Sequence, residues 1–213
     1  MKSVLGIGIN DADYQISRYE YIDGKRCQVW ICPYYLLWKS VLTRSLCIKF
    51  KKKWPKYTDV CVCEEWLTFS NFKSWMEKQD WEGKELDKDI LYTDNKEYSP
   101  SKCCFVSKRI NTFIIDGAKV RGNFPIGVSW NKSVKKFVAQ CQNGTGKQLS
   151  RYFDNVEDAF YWWLETKTNI AISLMENEQD KRISSAIISR YKNYPIPDFS
   201  NFPTIQDMLT KSD

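Results

Sequence analysis

The chain of 213 residues contains no histidine. That absence removes the side chain that most often acts as a general base near neutral pH. It also restricts any zinc site to cysteines, alone or with a carboxylate. No run approaches the roughly 18 uncharged apolar residues that a bilayer crossing needs. The N-terminal residues reach Asp11 before an apolar targeting core develops. Together these absences predict a soluble, cytoplasmic protein with no membrane partner.

Eight cysteines are present, yet the pairs Cys27/Cys32, Cys61/Cys63 and Cys103/Cys104 lack the two-residue knuckle spacing that marks structural zinc. Reduced thiols are therefore expected, and a structural Zn²⁺ is not. A hydrophobic content of 43% with 15% aromatics is enough to build a core in one or two domains.

Charge is unevenly distributed, although the net value is only +6. Residues 117–153 carry Lys119, Arg121, Lys132, Lys135, Lys136, Lys147 and Arg151 without a single acid. Residues 44–56 carry Arg44, Lys49, Lys51, Lys52, Lys53 and Lys56, again without an acid. From Asp154 onward the balance reverses to ten acids against six bases. Two basic blocks beside an acidic tail suggest a surface for a polyanion.

The first thirty residues are broken by Gly6, Gly8 and Asp23-Gly24 and read as an arm or a short hairpin. Trp38, Val41, Leu42, Ser45 and Leu46 recur at helical spacing after Pro33, and the basic segment 49–56 then reads as a loop. Trp66, Phe69, Phe72, Trp75 and Met76 predict one core helix over 64–76. Residues 85–91 and 103–106 are strand-like, and Ser107 is placed to cap a short helix. Three further strands are expected at 127–130, 136–141 and 147–153, with Asn143-Gly144 in a hairpin turn. A long amphipathic helix follows from Val156 to Leu174, a further helix runs through Ile183, Ile187 and Ile188, and Pro195, Pro197 and Pro203 predict an extended or loosely docked tail.

Leu86, Asp87, Lys88, Asp89 and Ile90, then Tyr98 to Val106, then Asn111, form a pattern that resembles the HNH homing-endonuclease group of the His-Me finger superfamily. The Trp38 helix and the block Glu65, Trp66, Leu67, Phe69, Asn71 and Phe72 are similar to what precedes that motif in phage members. Gly127 to Trp130, Lys136 to Ala139, Phe153 and Glu157 to Ala159 resemble the small DNA-binding domain of the ethylene-response-factor type that often follows it. The resemblance spans residues 30 to 170 approximately. It implies an α+β fold: a ββα-metal module plus a three-stranded antiparallel sheet packed on one long helix. The implied divisions are an arm or hairpin (1–33), the HNH-like domain (34–116), the sheet domain (117–176) and a C-terminal helix with a proline-containing tail (177–213).

In that family an aspartate binds a divalent metal and the next residue, a histidine, activates water. A loop asparagine orients that histidine, and a helix Asn or His completes the metal pair. The resemblance implies Asp87 and Asn111 as ligands for Mg²⁺. It places Lys88 at the histidine position and Lys102 at the loop asparagine. An ordinary lysine is neutral so rarely at pH 7 that its use as a base costs about 4.6 kcal/mol. Lys88 suits a phosphate contact better, and Asp89 is the substitute base, expected on the opposite side of the strand. The expected function is double-stranded DNA binding with weak or absent cleavage, through Lys51, Lys52, Lys53, Lys102, Arg121, Trp130, Lys132, Lys135, Lys136, Lys147 and Arg151. Strand alternation lets about four of the sheet-domain residues face DNA together, and Trp130 either joins them or packs in the core. The rivals are an active Mg²⁺-dependent endonuclease with a base other than histidine, and a phage-encoded inhibitor of a host or defence protein in the bacterial cytoplasm.

Overall fold

The structure, a computed structural model, describes residues 2–115, 123–143 and 146–210. The fold is mixed α+β, with small sheets, and divides into two compact units, Met1–Val106 and Ser107–Asp213. The sequence placed the corresponding boundary at residue 116.

The first unit begins with two hairpins. The first joins β1 (Lys2–Val4) to β2 (Gly8–Asn10), the second β3 (Ser17–Ile22) to β4 (Lys25–Ile31). Asp23 and Gly24 both take positive φ, the geometry of a tight turn whose twist suits a hairpin. Helix α1 (Pro33–Leu46) opens on its proline, which lacks an N–H that a first helical position leaves unpaired anyway. Its stripe of Trp38, Val41, Leu42 and Ser45 is buried as the spacing predicts.

Residues 49–56 do not form a loop. Helix α2 (Ile48–Lys53) and a 3-10 turn, Pro55–Tyr57, occupy them. Lys51 turns inward, and its Nζ donates to the Thr58 and Val60 carbonyls at 3.1 and 2.8 Å. Strand β5 (Cys61–Val62) follows. The helix expected over 64–76 is broken: a 3-10 turn, Glu65–Leu67, passes through extended Thr68 into α3 (Phe69–Met76). Asp11 supplies the reason, accepting the Ser70 backbone N–H at 2.9 Å and fixing the helix start from a distant part of the chain. Trp66, Phe69, Phe72 and Met76 still enter one core with Trp38 and Leu42. The Trp38 Nε1 donates to the Trp66 carbonyl at 2.7 Å, so this buried indole keeps a partner.

Strand β6 (Lys84–Asp87) ends sooner than expected. Strand β7 (Glu97–Tyr98) pairs in parallel with β5, while β8 (Cys104–Ser107) pairs with β6 and leads into the second unit.

The second unit starts at α4 (Lys108–Phe113), capped by the Ser107 Oγ, which accepts the Ile110 N–H at 3.3 Å. Strands β9 (Val128–Asn131), β10 (Lys136–Gln142) and β11 (Gln148–Phe153) form an antiparallel sheet in the order β11-β10-β9. Helix α5 (Val156–Met175) covers one face, where Val128, Phe137, Ala139 and Cys141 meet Val156, Ala159, Phe160 and Trp163. Gly127, at φ +77°, is required there, because a Cβ would fall inside the Trp163 indole. Helix α6 (Lys181–Lys192) buries Ile183, Ile187 and Tyr191. The tail is not loose: a 3-10 turn at Phe199–Asn201 and α7 (Ile205–Thr210) pack Phe199, Phe202, Ile205 and Met208 onto the sheet–helix core.

One charge is buried among the described residues of this unit. The Lys167 Nζ, on α5, donates to the Phe113 carbonyl at 2.5 Å and lies 3.7 Å from the centre of that residue's ring. Burial lowers its pKa from the ordinary lysine value, and neighbouring Cys141 opposes that shift. No helix among the described residues is long and apolar enough to cross a membrane.

Candidate functional site

Two surfaces hold the residues singled out by the sequence, one in each unit. In the first unit the chain leaves β6 at Asp87 and turns at once. The Asp87 Oδ1 accepts the N–H groups of Asp89 at 2.7 Å and Ile90 at 2.8 Å. Lys88 and Asp89 therefore lie beyond the strand, where alternation no longer separates them. The Lys88 Nζ meets Asp89 Oδ1 at 2.6 Å and the Asn95 carbonyl at 2.5 Å. Asn95 returns its amide to the Lys88 carbonyl at 2.9 Å and to the Glu97 carbonyl at 2.7 Å. The expectation that Lys88 and Asp89 point to opposite sides is thus corrected.

This arrangement uses Lys88 as a donor that closes a loop. Its side chain is buried and faces two oxygen acceptors, the environment of an ammonium group. Lys102, in the next connection between β7 and β8, pairs with Glu97 at 2.6 Å. Burial pushes the Asp87 carboxyl above its ordinary pKa, and the two backbone donors offset part of that rise. Cys103, also buried, is pushed up to about 12 by loss of solvent, which leaves an unreactive thiol.

Arg44 reaches this region from α1. Its Nη1 donates to the Tyr98 hydroxyl at 3.3 Å. Burial pushes the Tyr98 phenol up to about 12, against the opposing influence of Arg44. Burial acts to lower the Arg44 pKa, but Tyr98, Tyr57 and Asp87 outweigh it and leave it raised. Arg44 was noted in the sequence only as part of a basic block. Its place in the last turn of an amphipathic helix, one residue from Ser45 of the apolar stripe, is the signal the sequence offers.

A Mg²⁺ ion takes near-octahedral oxygen ligands, usually with one or two carboxylates. Asp87 uses one oxygen for the turn, and Asp89 is engaged by Lys88. Asn111 lies on α4 and so belongs to the second unit, whereas Asp87 belongs to the first. Among the described residues no group of three or more Cys, Asp or Glu could hold a metal ion. None of the eight cysteines, all among the described residues, forms a disulfide.

The second surface is the sheet. Its register pairs Lys136 with Asn131, Val138 with both Ser129 and Tyr152, Gln140 with Ser150, and Gln142 with Gln148. These residues share the face away from α5, because their neighbours Phe137, Ala139 and Cys141 enter the helix-side core. Gln140, Gln142, Gln148, Ser150 and Tyr152 are exposed on it.

The basic residues expected to share this face are distributed otherwise. Lys136 lies on it and pairs with Asp154 at 3.0 Å. Lys132 and Lys135 occupy the β9–β10 turn, and Lys147 precedes β11. Arg151 is in register with Ala139, so it falls on the helix-side face, exposed at the edge strand with its guanidinium 5.5 Å from the Phe153 ring centre. Trp130 packs edge-on to Phe137 at 4.9 Å and belongs to the core side, which removes it from the open face. Arg121 lies outside the described residues. In the first unit Lys52 and Lys53 are exposed on α2, while Lys51 is occupied as described. Charge alone does not point to these amides; alternation along β10, read from Lys136, does, through Gln140 and Gln142. Comparison with protein-family models, characterised proteins and solved structures gives no match.

Proposed function

We propose that the chain binds double-stranded DNA through the open face of the β9–β10–β11 sheet and does not cleave it. One observation carries this reading: the register collects exposed amide and hydroxyl side chains, Gln140, Gln142, Gln148, Ser150 and Tyr152, on the sheet face opposite α5. A major groove admits β-structure, and Gln or Asn can make paired hydrogen bonds to adenine there. Lys132, Lys135 and Lys147 flank the face with no carboxylate partner among the described residues, as phosphate contacts require. Three strands followed by a long helix are also what the resemblance to the ethylene-response-factor type implies. The order β6, loop, β8, α4 fits descent from a ββα-metal nuclease, and the occupied Lys88 fits loss of the cutting step.

Duplex affinity at 50 and 200 mM salt, followed by fluorescence anisotropy, tests the proposal, together with supercoiled plasmid incubated with Mg²⁺ or Mn²⁺. Binding should fall steeply with salt, and the plasmid should stay intact. Absence of duplex binding at low salt overturns the proposal. Nicking that disappears in Asp87→Ala overturns its non-cleaving half and favours the active endonuclease.

A second observation favours the inhibitor reading. The β3–β4 hairpin leaves Tyr21 78% exposed and Ile22, Val29 and Trp30 exposed beside it, an apolar edge of the kind that protein partners cover. Under that reading Trp30→Ser abolishes capture of the partner and leaves duplex affinity unchanged.

A further inference from the structure

A cleft of about 550 Å³ opens in the first unit between α1, α2 and the Pro55–Tyr57 turn. That size lies within the range of about 300–1,000 Å³ usual for small-ligand sites. Its lining joins three cations, Lys39, Arg44 and Lys56, to the rings of Phe50, Trp54 and Tyr57, and it includes no carboxylate.

The cations are not consumed by the fold. Arg44 carries five N–H donors, and among the described residues only the Tyr98 hydroxyl takes one of them. Lys39 and Lys56 form no ion pair among the described residues. Half-buried, Arg44 is held by α1 with its remaining donors open to solvent, where an anion can take them. The rings divide into support and contact. Phe50 and Tyr57 pack edge to face at 5.3 Å and brace the wall, whereas Trp54 is 47% exposed and, with the Lys53 Nζ 5.6 Å from its ring centre, still offers indole surface to a flat partner. The Lys51 hook on Thr58 and Val60 holds the turn that carries Lys56 and Tyr57.

We infer that this cleft binds a nucleoside phosphate, its base against Trp54 and its phosphate on Arg44 with Lys39 and Lys56. A simple anion would leave the exposed indole unused, and a neutral aromatic would leave three cations unmatched. A phosphate ester of a planar base satisfies both. The same chemistry comes from a free nucleotide or from the phosphorylated end of a single strand. The site lies wholly in the first unit, so it does not depend on duplex binding by the sheet.

Titration calorimetry with the full chain tests it, using adenosine 5′-monophosphate, adenosine, inorganic phosphate and a short 5′-phosphorylated deoxythymidine strand. Saturable binding of the monophosphate is expected, with adenosine and phosphate each weaker by about tenfold or more. Saturation by the strand alone supports the site and assigns it to a strand end. Trp54→Ala and the pair Lys39→Gln and Lys56→Gln alter exposed positions, and each should weaken binding by about tenfold. Binding should be unchanged in Gln140→Ala with Gln142→Ala, which separates this site from the sheet. The inference is overturned if neither phosphorylated ligand saturates at millimolar concentration, if adenosine binds as well as its phosphate, or if the cleft variants bind normally.

Discussion

Lys88 and Asn95 hold each other reciprocally: the lysine Nζ donates to the Asn95 carbonyl at 2.5 Å, and the Asn95 amide donates to the Lys88 carbonyl at 2.9 Å. Asp89 completes the triangle at 2.6 Å from the same Nζ. The position that the family resemblance assigns to a water-activating histidine is here a loop clasp. Lys88→Met should destabilise the protein by about 1–3 kcal/mol, because two oxygens lose a charged donor. Urea denaturation checks the loss, and duplex affinity measured on the same variant should not change.

The duplex contacts proposed for the sheet face are of two kinds. Gln140→Ala and Gln142→Ala should flatten the preference among duplex sequences while preserving the dependence on salt, since amides read base edges. Lys132→Ala should act oppositely, weakening all duplexes alike and reducing the slope of log affinity against log salt by about one. Competition binding over a set of duplexes at several salt concentrations distinguishes them.

Gly127→Ala should cost about 3 kcal/mol or more, because the new methyl meets the Trp163 ring while the backbone stays at positive φ. Gly146 has a comparable φ, +89°, with nothing within 4 Å of a built Cβ. Gly146→Ala should therefore cost only about 1–2 kcal/mol. Thermal unfolding of the two variants, compared with the parent, reads the difference.

Lys167 gives a pH signature. Its folded pKa lies below its unfolded value through burial, so the unfolded chain binds more protons between the two values and stability rises with pH across that interval. The interval ends near the ordinary lysine value of about 10.4. Lys167→Met removes this proton linkage. The stability of the parent minus that of the variant should increase as pH is raised from neutrality toward 10, measured by chemical denaturation. A difference independent of pH would count against the lowered pKa.

Much of the second unit was legible because its signals are periodic. Expected strands at 127–130, 136–141 and 147–153 correspond to Val128–Asn131, Lys136–Gln142 and Gln148–Phe153, and the long helix begins at Val156 as the pattern indicates. The misread parts depended on contacts from far along the chain. Nothing local tells that Asp11 will cap Ser70 and split the helix expected over 64–76. Nothing local tells that Lys88 will fold back on Asn95. The basic run reads as a loop because charge masks helix propensity, although lysine is a good helix former. Trp130 shows the converse: its residue type suited DNA stacking, but register with Phe137 placed it on the packed side.

The inward turn of Lys51 divides the lysines of its run by chemical reactivity. Lys49, Lys52, Lys53 and Lys56 present exposed amines, whereas the Lys51 amine is shared between two backbone carbonyls. An acylating reagent will modify the four first and Lys51 last. Once Lys51 carries an acyl group, it can no longer span Thr58 and Val60, and the link from α2 to the entry of β5 opens. A modification that only neutralises charge at its neighbours is, at this one position, a cut in the scaffold.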